Sequence, residues 1–230
     1  MAYRPTARTE ATRIAQRERL LEAARGLLAE GGYAATGVVA VAERAGVATG
    51  SVYRHFASRQ ELLAAVFQHV AGHELDAVRE AVHTRTGAAE RLRALVEVFS
   101  RRALRAPRTA WALLAEPVDP LVQIERLAYR RGYLGLAAEA IAAGVDSGEL
   151  PAQDPSLSAA AVVGAIGEAL LGPLSPVAEP AGAEAVVTAI TELCLRAVGA
   201  PAGVHPTTTA TTATPSTPAT MPTPTRQDRP

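Results

Sequence analysis

Residues 19–63 constrain this chain more than any other part, because they alternate short apolar helical patterns with tight turns. Leucine and alanine recur at spacings of three and four up to Gly31-Gly32, and a second, shorter apolar pattern ends at Gly46. Glycine suits both turns because it adopts positive φ without a steric clash at Cβ. The pattern predicts four helices within about sixty residues, which is enough for one compact helical unit.

Capping residues set the expected helix boundaries within this unit. The first helix is predicted over residues 13–31, and Thr36 has the right chemistry to be the N-cap of a second. A third, short helix is predicted from about residue 49 to residue 55. Ser58 and Glu61 match a capping box, in which each side chain accepts a hydrogen bond from a backbone N–H near the other residue. This box predicts the start of a fourth helix.

The third helix has the two faces that a DNA-reading helix needs. Val52 and Phe56 are predicted to point inward, which leaves polar side chains on the outer face. A helix of about two turns fits the DNA major groove, while hydroxyls, Arg and helix N-termini hold the flanking phosphates. The residues predicted to contact DNA are Thr36, Ala48, Thr49, Gly50, Ser51, Tyr53, Arg54, His55 and Arg59. The simpler alternative is that the aromatic residues are core and the charged residues form a solvated surface.

Charge is distributed unevenly along the chain, although the formal net charge is zero. Residues 1–60 contain nine Arg and five Glu, a net charge of +4, so the remainder has a net charge of −4. The basic amino-terminal region is the part suited to a polyanion such as double-stranded DNA. Lys is absent from the chain, so Arg would make every cationic phosphate contact.

The motifs of this region resemble those of the TetR family of bacterial transcriptional regulators, and the resemblance covers residues 14–74. The motifs that carry it are Ala45-Gly46-Val47, Gly50-Ser51-Val52-Tyr53-x-His55-Phe56 and Ser58-Arg59-x-Glu61-Leu62. The resemblance implies a helix-turn-helix over about residues 37–56. Three positions depart from the family's usual pattern: Ala48 replaces Ser or Thr, Gly37 replaces a larger residue, and Arg59 replaces Lys. The first departure weakens the cap of the reading helix by about 1 kcal/mol.

An all-α protein with two domains is therefore predicted. Residues 1–13 are expected to be an amino-terminal arm, residues 14–74 the DNA-binding domain, and residues 75–198 a helical ligand-binding and dimerisation domain. Residues 199–230 are predicted to be a disordered tail. Ten Thr and seven Pro between residues 201 and 230, with almost no large apolar side chain, leave nothing to offset the entropy of ordering.

The last two helices before the tail, predicted over residues 155–171 and 182–198, present stripes suited to an interface. The stripes are Ala160, Gly164, Gly167 and Leu171 in the first helix and Val186, Ile190, Leu193 and Ala197 in the second. Small residues let another backbone approach closely, and the resembled family dimerises through its last two helices, so a two-fold four-helix bundle is expected. The alternative is that both stripes are core within one protomer.

The resemblance also implies a small-molecule cavity within residues 75–198, in which an effector changes the separation of two DNA readers. A short helix over residues 108–116 and a longer one over residues 121–143 are candidate walls, and the longer helix is predicted to bury Ile124 and Leu127. The candidate lining residues are Arg102, Trp111, Leu114, Tyr129, Tyr133 and Ile166. Further candidates to orient a polar group of the effector are Arg105, Glu116 and Glu168.

Other kinds of site are not expected. His69 and His73 lie one helical turn apart without an apparent third ligand, so no metal site is predicted. Gly164-x-x-Gly167 lacks the preceding strand that a nucleotide-binding loop needs, and Cys194 is interpreted as a small apolar residue. No Ser or Cys has a base at motif spacing, so neither catalysis nor a cofactor is expected. With no membrane-spanning run and no signal sequence recognised, a cytoplasmic protein is expected.

Together these observations predict a ligand-responsive transcriptional regulator. By resemblance it is a homodimer that represses from a palindromic operator until an unknown small-molecule effector binds. Two alternatives stay open, namely a helical module that binds protein partners and a small-molecule carrier or enzyme without DNA binding. The first predicts no salt-dependent binding to duplex DNA, and an enzyme needs a convergent acid, base or nucleophile.

Overall fold

Every element that the structure describes is an α-helix, which confirms the predicted all-α class. The computed structural model describes residues 7–175 and 182–200. The helices are α1 Ala7–Ala35, α2 Val38–Ala45, α3 Thr49–Tyr53, α4 Arg59–His83, α5 Ala88–Arg105, α6 Pro107–Leu114, α7 Pro120–Ser147, α8 Pro155–Leu174 and α9 Ala183–Ala197. The predicted tail lies outside the described residues from residue 201 onward.

Helix α1 begins earlier than predicted. It starts at Ala7, so the predicted start at residue 13 is wrong, and Glu10 and Arg13 pair along its first turns at 2.7 Å. The helix is interrupted where its end was predicted, because Gly32 has φ 67° and ψ −160°. This conformation is essentially restricted to glycine, and it turns the chain toward α2.

Thr36 does not have the predicted role of N-cap. Its side chain is fully buried, and its hydroxyl donates a hydrogen bond of 2.8 Å to the carbonyl of Gly32. The N-cap of α2 is Gly37, which has extended backbone geometry and makes no side-chain cap bond. The interruption of α1 frees the Gly32 carbonyl, and Thr36 satisfies it, so its hydroxyl is unavailable to a phosphate.

The amino-terminal core is formed by helices α1 to α4. Val52 is fully buried and Phe56 is 3% exposed, in agreement with their predicted inward orientation. The capping box is present: Ser58 Oγ accepts from the Glu61 N–H at 3.1 Å, and the Glu61 carboxylate accepts from the Ala57 N–H at 2.9 Å. These contacts fix where α4 begins relative to α3.

Helix α4 passes from one hydrophobic core into the other. Ala71 lies in the amino-terminal core, and Leu75, one turn later, lies in the core built with α5, α7, α8 and α9. Ala112 of α6 and Val122 of α7 are fully buried in the amino-terminal core. Because close-packed interiors transmit displacements, movement of α6 or α7 disturbs the packing of the first four helices.

The first turns of α7 are more exposed than predicted. Ile124 is 59% exposed and Leu127 is 46% exposed, so the prediction that this helix buries them is wrong. The buried face of α7 is set instead by Val122 and, further along, by Leu136 and Ile141. Apolar spacing reveals a face of the helix but not whether another element covers it.

Helices α8 and α9 expose apolar residues on the side away from the core. Leu157 of α8 is 70% exposed and Leu193 of α9 is 48% exposed. The predicted α9 stripe divides, because Ile190 is buried in the core whereas Leu193 and Ala197 are exposed. Within the described chain, α8 alone is long and apolar enough to cross a membrane by length and composition, and 28% of that window is buried.

Candidate nucleic-acid interface and ligand cavity

The short helix α3 is held from below by apolar contacts and at its start by a tight turn. Gly46 ends α2 in the left-handed conformation, and Ala48 precedes α3 with extended geometry and no side-chain cap bond. Ala48 instead accepts from the Ser51 N–H at 2.8 Å through its carbonyl. Buried Val52 and Phe56 anchor the opposite side, so the position of α3 depends on packing more than on capping.

The outer surface of α3 presents most of the predicted contact residues. Tyr53 is 51% exposed, and Ala48, Gly50 and Arg54 are also exposed. Thr49 and Ser51 are half-buried at the same surface. This arrangement leaves one guanidinium and several small or hydroxyl side chains at the protein surface, where they can reach base edges and phosphates.

His55 does not face outward as predicted. Its Nε2 lies 3.2 Å from Gln16 Oε1 of α1, and its Nδ1 is buried without a hydrogen-bond partner among the described residues. Burial lowers the pKa of His55, and the nearby charges of Arg13, Arg17 and Arg54 lower this pKa further. The imidazole is therefore neutral near pH 7 and ties α3 to α1.

Sequence reasoning missed two basic residues of this surface, Arg13 and Arg17. Their positive charges, together with that of Arg54, lower the pKa of His55, so the three guanidinium groups lie near this residue. The Arg17 guanidinium lies 5.3 Å from the centre of the Phe56 ring, a cation–π contact. The available signal was the i,i+4 spacing of the two residues on α1, which places them on one helix face.

Arg59, at the first turn of α4, contacts the carboxyl-terminal domain. Its guanidinium lies 3.4 Å from Asp119 Oδ2 and 3.4 Å from the carbonyl of Tyr33. Both distances are long for hydrogen bonds, and the side chain remains 45% exposed. A phosphate can therefore compete for Arg59.

The lowered pKa of His55 gives a testable pH dependence of stability. The unfolded chain binds a proton at this group below its ordinary pKa of about 6.5, whereas the folded chain resists protonation. Stability is therefore expected to fall as the pH decreases from about 7.5 to about 5.5, and His55→Asn should make the fall smaller. Urea unfolding of both proteins at the two pH values measures this, and equal falls would contradict it.

A cavity of about 150 Å³ lies among helices α4 to α8. Five of the six predicted residues line it, namely Arg102, Leu114, Tyr129, Tyr133 and Ile166. Trp111 does not line the cavity, because it packs at the edge of the carboxyl-terminal core. Of the further candidates, Arg105 and Glu168 are exposed and away from the cavity, and Glu116 lies at the junction of the two domains.

Aromatic contacts shape the cavity wall. Tyr133 meets Phe99 edge to face at 5.1 Å, and Tyr129 meets Phe67 in the same way at 5.7 Å. The Tyr129 hydroxyl donates to the Gln68 carbonyl at 3.0 Å. Burial raises the pKa of Tyr133, so its hydroxyl stays protonated and can donate to a ligand.

Arg126 and Arg130 also line the cavity and were missed by sequence reasoning. They lie on the same face of α7 as Tyr129 and Tyr133, at helical spacings of three and four, which was the available signal. Arg102 is paired with Glu74 at 3.0 Å across the cavity wall. The site thus combines apolar and aromatic walls with a few convergent charged groups, as ligand sites commonly do.

A family comparison agrees with this geometry. Residues 20–66, which contain α2, α3 and the start of α4, match the family model described as bacterial regulatory proteins, tetR family. Within this segment the chain is similar to the amino-terminal part of TetR-family regulators. The matched segment contains the exposed surface of α3 and the capping box that starts α4.

Two characterised TetR-type regulators are similar to part of this chain. The transcriptional activator FasR of Mycolicibacterium smegmatis is 42% identical over 84 residues, covering 36% of this chain and 38% of FasR. The transcriptional repressor KstR2 of Rhodococcus jostii is 32% identical over 125 residues, covering 54% of this chain and 61% of KstR2. Both matches span less than two thirds of the relative's own length.

Most of the fold has a counterpart among solved structures. The transcriptional regulator FadR from Bacillus subtilis, solved in complex with stearoyl-CoA, superimposes with a TM-score of 0.69 at 21% identity. The superposition covers 79% of this chain and 99% of FadR. At this identity the likeness shows a shared fold, in which an amino-terminal helix-turn-helix is joined to a larger helical domain.

His69, His73 and Cys194, for which no metal or catalytic site was predicted, contact other residues of the fold. His69 Nε2 lies 2.9 Å from Glu22 of α1, and its ring meets that of His73 edge to face. The described residues contain no group of three or more potential ligands placed to hold a metal ion. Cys194 is buried in α9, and burial raises the pKa of its thiol to about 11.

Proposed function

We propose that this protein is a transcriptional regulator that binds double-stranded DNA through α3 and responds to a small molecule in the carboxyl-terminal domain. The observation that supports DNA binding most directly is the exposed surface of α3 beside the guanidinium groups of Arg13, Arg17 and Arg54. Base edges are read by α3, while flanking Arg and hydroxyl groups hold phosphates and fix the register. Such a regulator acts in the cytoplasm, where chromosomal DNA is accessible.

Arg54 and Arg59 are expected to contribute differently to DNA binding. Arg54→Ala should weaken binding to a selected specific site by about 1–3 kcal/mol more than binding to random duplex, because it removes a base contact. Arg59→Ala or Tyr53→Phe should weaken both alike, since these residues hold phosphates, and Arg59→Ala should also reduce the salt dependence. Mobility shifts over a salt series measure all three variants against a site selected from a random DNA pool.

Two outcomes of this experiment would count against the proposal. Equal losses on specific and random duplex for Arg54→Ala would remove its base-reading role. An absence of salt-dependent binding to any duplex by the unaltered protein would favour the alternative of a protein-interaction module.

The protein is further proposed to act as a homodimer through α8 and α9. Their exposed side carries Leu157, Leu193 and Ala197 together with small residues that allow close backbone approach. A two-fold dimer presents two copies of α3 to successive major grooves, which requires a palindromic operator. Exposed apolar side chains on two neighbouring helices are typical of such interfaces.

Charge placed on this surface is expected to abolish dimerisation. Leu193→Glu should give monomers, because a carboxylate at a two-fold interface lies near its own copy and loses hydration. Ile124→Glu is the matched control, since Ile124 is equally apolar and 59% exposed but lies on α7. Light scattering at micromolar concentration gives the mass, and a dimeric Leu193→Glu protein would overturn the assignment of the interface.

The effector is proposed to bind in the cavity of about 150 Å³ and to release the protein from DNA. An engineered cavity of about this size accommodates benzene, so the cavity fits a short acyl or single-ring group. The superposition on FadR, which was solved with stearoyl-CoA, supports a ligand with an apolar body and a charged part. Release requires that the effector favour a dimer geometry that binds DNA less well, with a coupling free energy of about 1–3 kcal/mol.

A further inference from the structure

A polar cluster joins the two domains at the interruption of α1. The Tyr33 N–H donates to Glu116 Oε1 at 3.0 Å, and Arg108 Nη2 donates to the Gly31 carbonyl at 2.9 Å. Glu116 and Arg108 come from the segment around α6, whereas the two backbone groups belong to the end of α1. We call this group the interdomain cluster, and its members are Gly31, Gly32, Tyr33, Arg108, Glu116 and Arg126.

Three buried polar atoms of the interdomain cluster have no hydrogen-bond partner within the described part of the chain. They are Tyr33 Oη, Glu116 Oε2 and Arg126 Nε. Buried polar atoms are nearly always bonded in folded proteins, and a partly satisfied network is energetically costly. The charges of Glu116 and Arg126 both act on the Tyr33 hydroxyl, so the three groups are close enough to interact. The cluster therefore has the hydrogen-bonding capacity for a second arrangement.

Arg126 connects this cluster to the cavity. Its Nη2 donates to the carbonyls of Ala112 at 3.1 Å and Glu116 at 2.9 Å, while the same side chain lines the cavity. The guanidinium is planar and rigid, so a ligand that binds one of its nitrogens reorients all of them. A shift of Arg126 therefore acts directly on the backbone at Glu116, whose carboxylate holds Tyr33.

The charges around the cavity indicate which ligands it prefers. Arg102, Arg126 and Arg130 line it together with one acidic residue, Glu74. Glu74 is already paired with Arg102, which leaves Arg126 and Arg130 as excess positive charge beside apolar and aromatic walls. An anionic ligand gains a charge-assisted hydrogen bond in such a site, whereas a neutral ligand of the same shape does not.

We propose that Arg126 couples the cavity to the DNA-binding domain. A small apolar carboxylate in the cavity accepts a hydrogen bond from Arg126 Nε and draws the guanidinium away from the Ala112 and Glu116 carbonyls. This movement loosens the contact of Glu116 with Tyr33. Tyr33 lies three residues before Thr36, whose hydroxyl bonds to Gly32, so this change reaches the start of the helix-turn-helix. The inference rests on the proposed function and specifies the ligand class and the route of regulation.

The ligand part is tested without DNA, using benzoate and benzamide as probes of equal shape. Isothermal titration calorimetry on the full chain measures the affinity for each probe. Benzoate should bind about tenfold or more tightly than benzamide, a preference that Arg126→Gln removes and Arg126→Lys partly restores. Arg131→Gln, a change at an exposed neighbouring residue, should leave the preference unchanged.

Two results of these titrations would overturn the carboxylate contact. One is equal affinity of the unaltered protein for benzoate and benzamide, including no binding of either. The other is a preference that survives Arg126→Gln. Butyryl-CoA is the third probe, and its binding in the absence of benzoate binding would also reject a free carboxylate as the recognised group.

The coupling part is tested on DNA with Glu116→Ala, which removes the acceptor of the Tyr33 N–H and leaves the cavity lining unchanged, since Glu116 does not line the cavity. This variant should bind benzoate as the unaltered protein does, but benzoate should no longer weaken its binding to the selected duplex. A purely structural role for Glu116 would change benzoate affinity or thermal stability and leave the effect of benzoate on DNA binding intact, which would refute the coupling. If no protein binds duplex, the proposed function fails, while the result of the benzoate titration still stands.

Discussion

Gly32→Ala is expected to destabilise the protein by about 1–3 kcal/mol, because its backbone conformation strains any residue with a Cβ. The backbone of Gly32 has φ 67° and ψ −160°, a region that residues with a side chain almost never occupy. A Cβ at this position would also overlap the Glu116 carboxylate and the Arg108 guanidinium. Urea unfolding of the full chain measures the loss, and mobility shifts should show weaker DNA binding because the interdomain cluster is displaced.

Gly135→Ala is the matched control for this substitution. Gly135 lies within α7 at negative φ, and a Cβ there meets no atom within 4 Å. Alanine is favoured over glycine in a helix by about 0.8–1.0 kcal/mol, so this variant should be as stable as the unaltered protein or more stable. Comparable losses for the two variants would show that Gly32 is not constrained by its backbone and its neighbours.

The features of helices α1 to α4 that the sequence predicted correctly depend on local rules. Val52 and Phe56 could be assigned to the core from helical periodicity, and the capping box from the chemistry of residues three apart. The prediction that Thr36 is an N-cap was wrong because its hydroxyl bonds to a carbonyl freed by the interruption at Gly32. The prediction that His55 faces outward was wrong because its Nε2 contacts the side chain of Gln16, which lies 39 positions away in the sequence. The contact between His55 and Gln16 is long-range and leaves no trace in a local pattern, whereas the bond of Thr36 is local but depends on the backbone break at Gly32.

The lining of the cavity could likewise be predicted only in part, where helical spacing alone determines which residues share a face. Tyr129 and Tyr133 could be predicted from their spacing on α7, whereas Trp111 has equal apolar character and lies outside the cavity. The spacing of Arg126 places it on the same face of α7 as Tyr129 and Tyr133, but a charged residue in an amphipathic helix is ordinarily on the surface. Its importance follows from the chain bringing Ala112, Glu116 and the cavity wall together. Such a site depends on tertiary packing, which apolar spacing does not determine.

Phe56→Ala is expected to cost about 3–5 kcal/mol of stability, because the ring is 3% exposed and its removal leaves a cavity in the smaller core. Binding to duplex DNA should fall as well, at concentrations where the protein remains folded. The ring supports α3 from below and receives the Arg17 guanidinium at 5.3 Å, so its loss frees both the reading helix and a basic side chain. Urea unfolding and mobility shifts on the same preparation give the two quantities.

Two further substitutions separate the contribution of packing from that of contact. Phe56→Leu keeps most of the buried volume, so it should cost less than the alanine variant and retain more DNA binding. Tyr53→Ala lies on the same short helix at a residue that is 51% exposed, so its stability should change by no more than about 0.5 kcal/mol while DNA binding falls. If Phe56→Ala lost stability but bound duplex normally, α3 would not depend on this ring for its position. The surface around Arg13, Arg17 and Arg54 would then have to bind DNA without a rigid reading helix, in a manner closer to non-specific association.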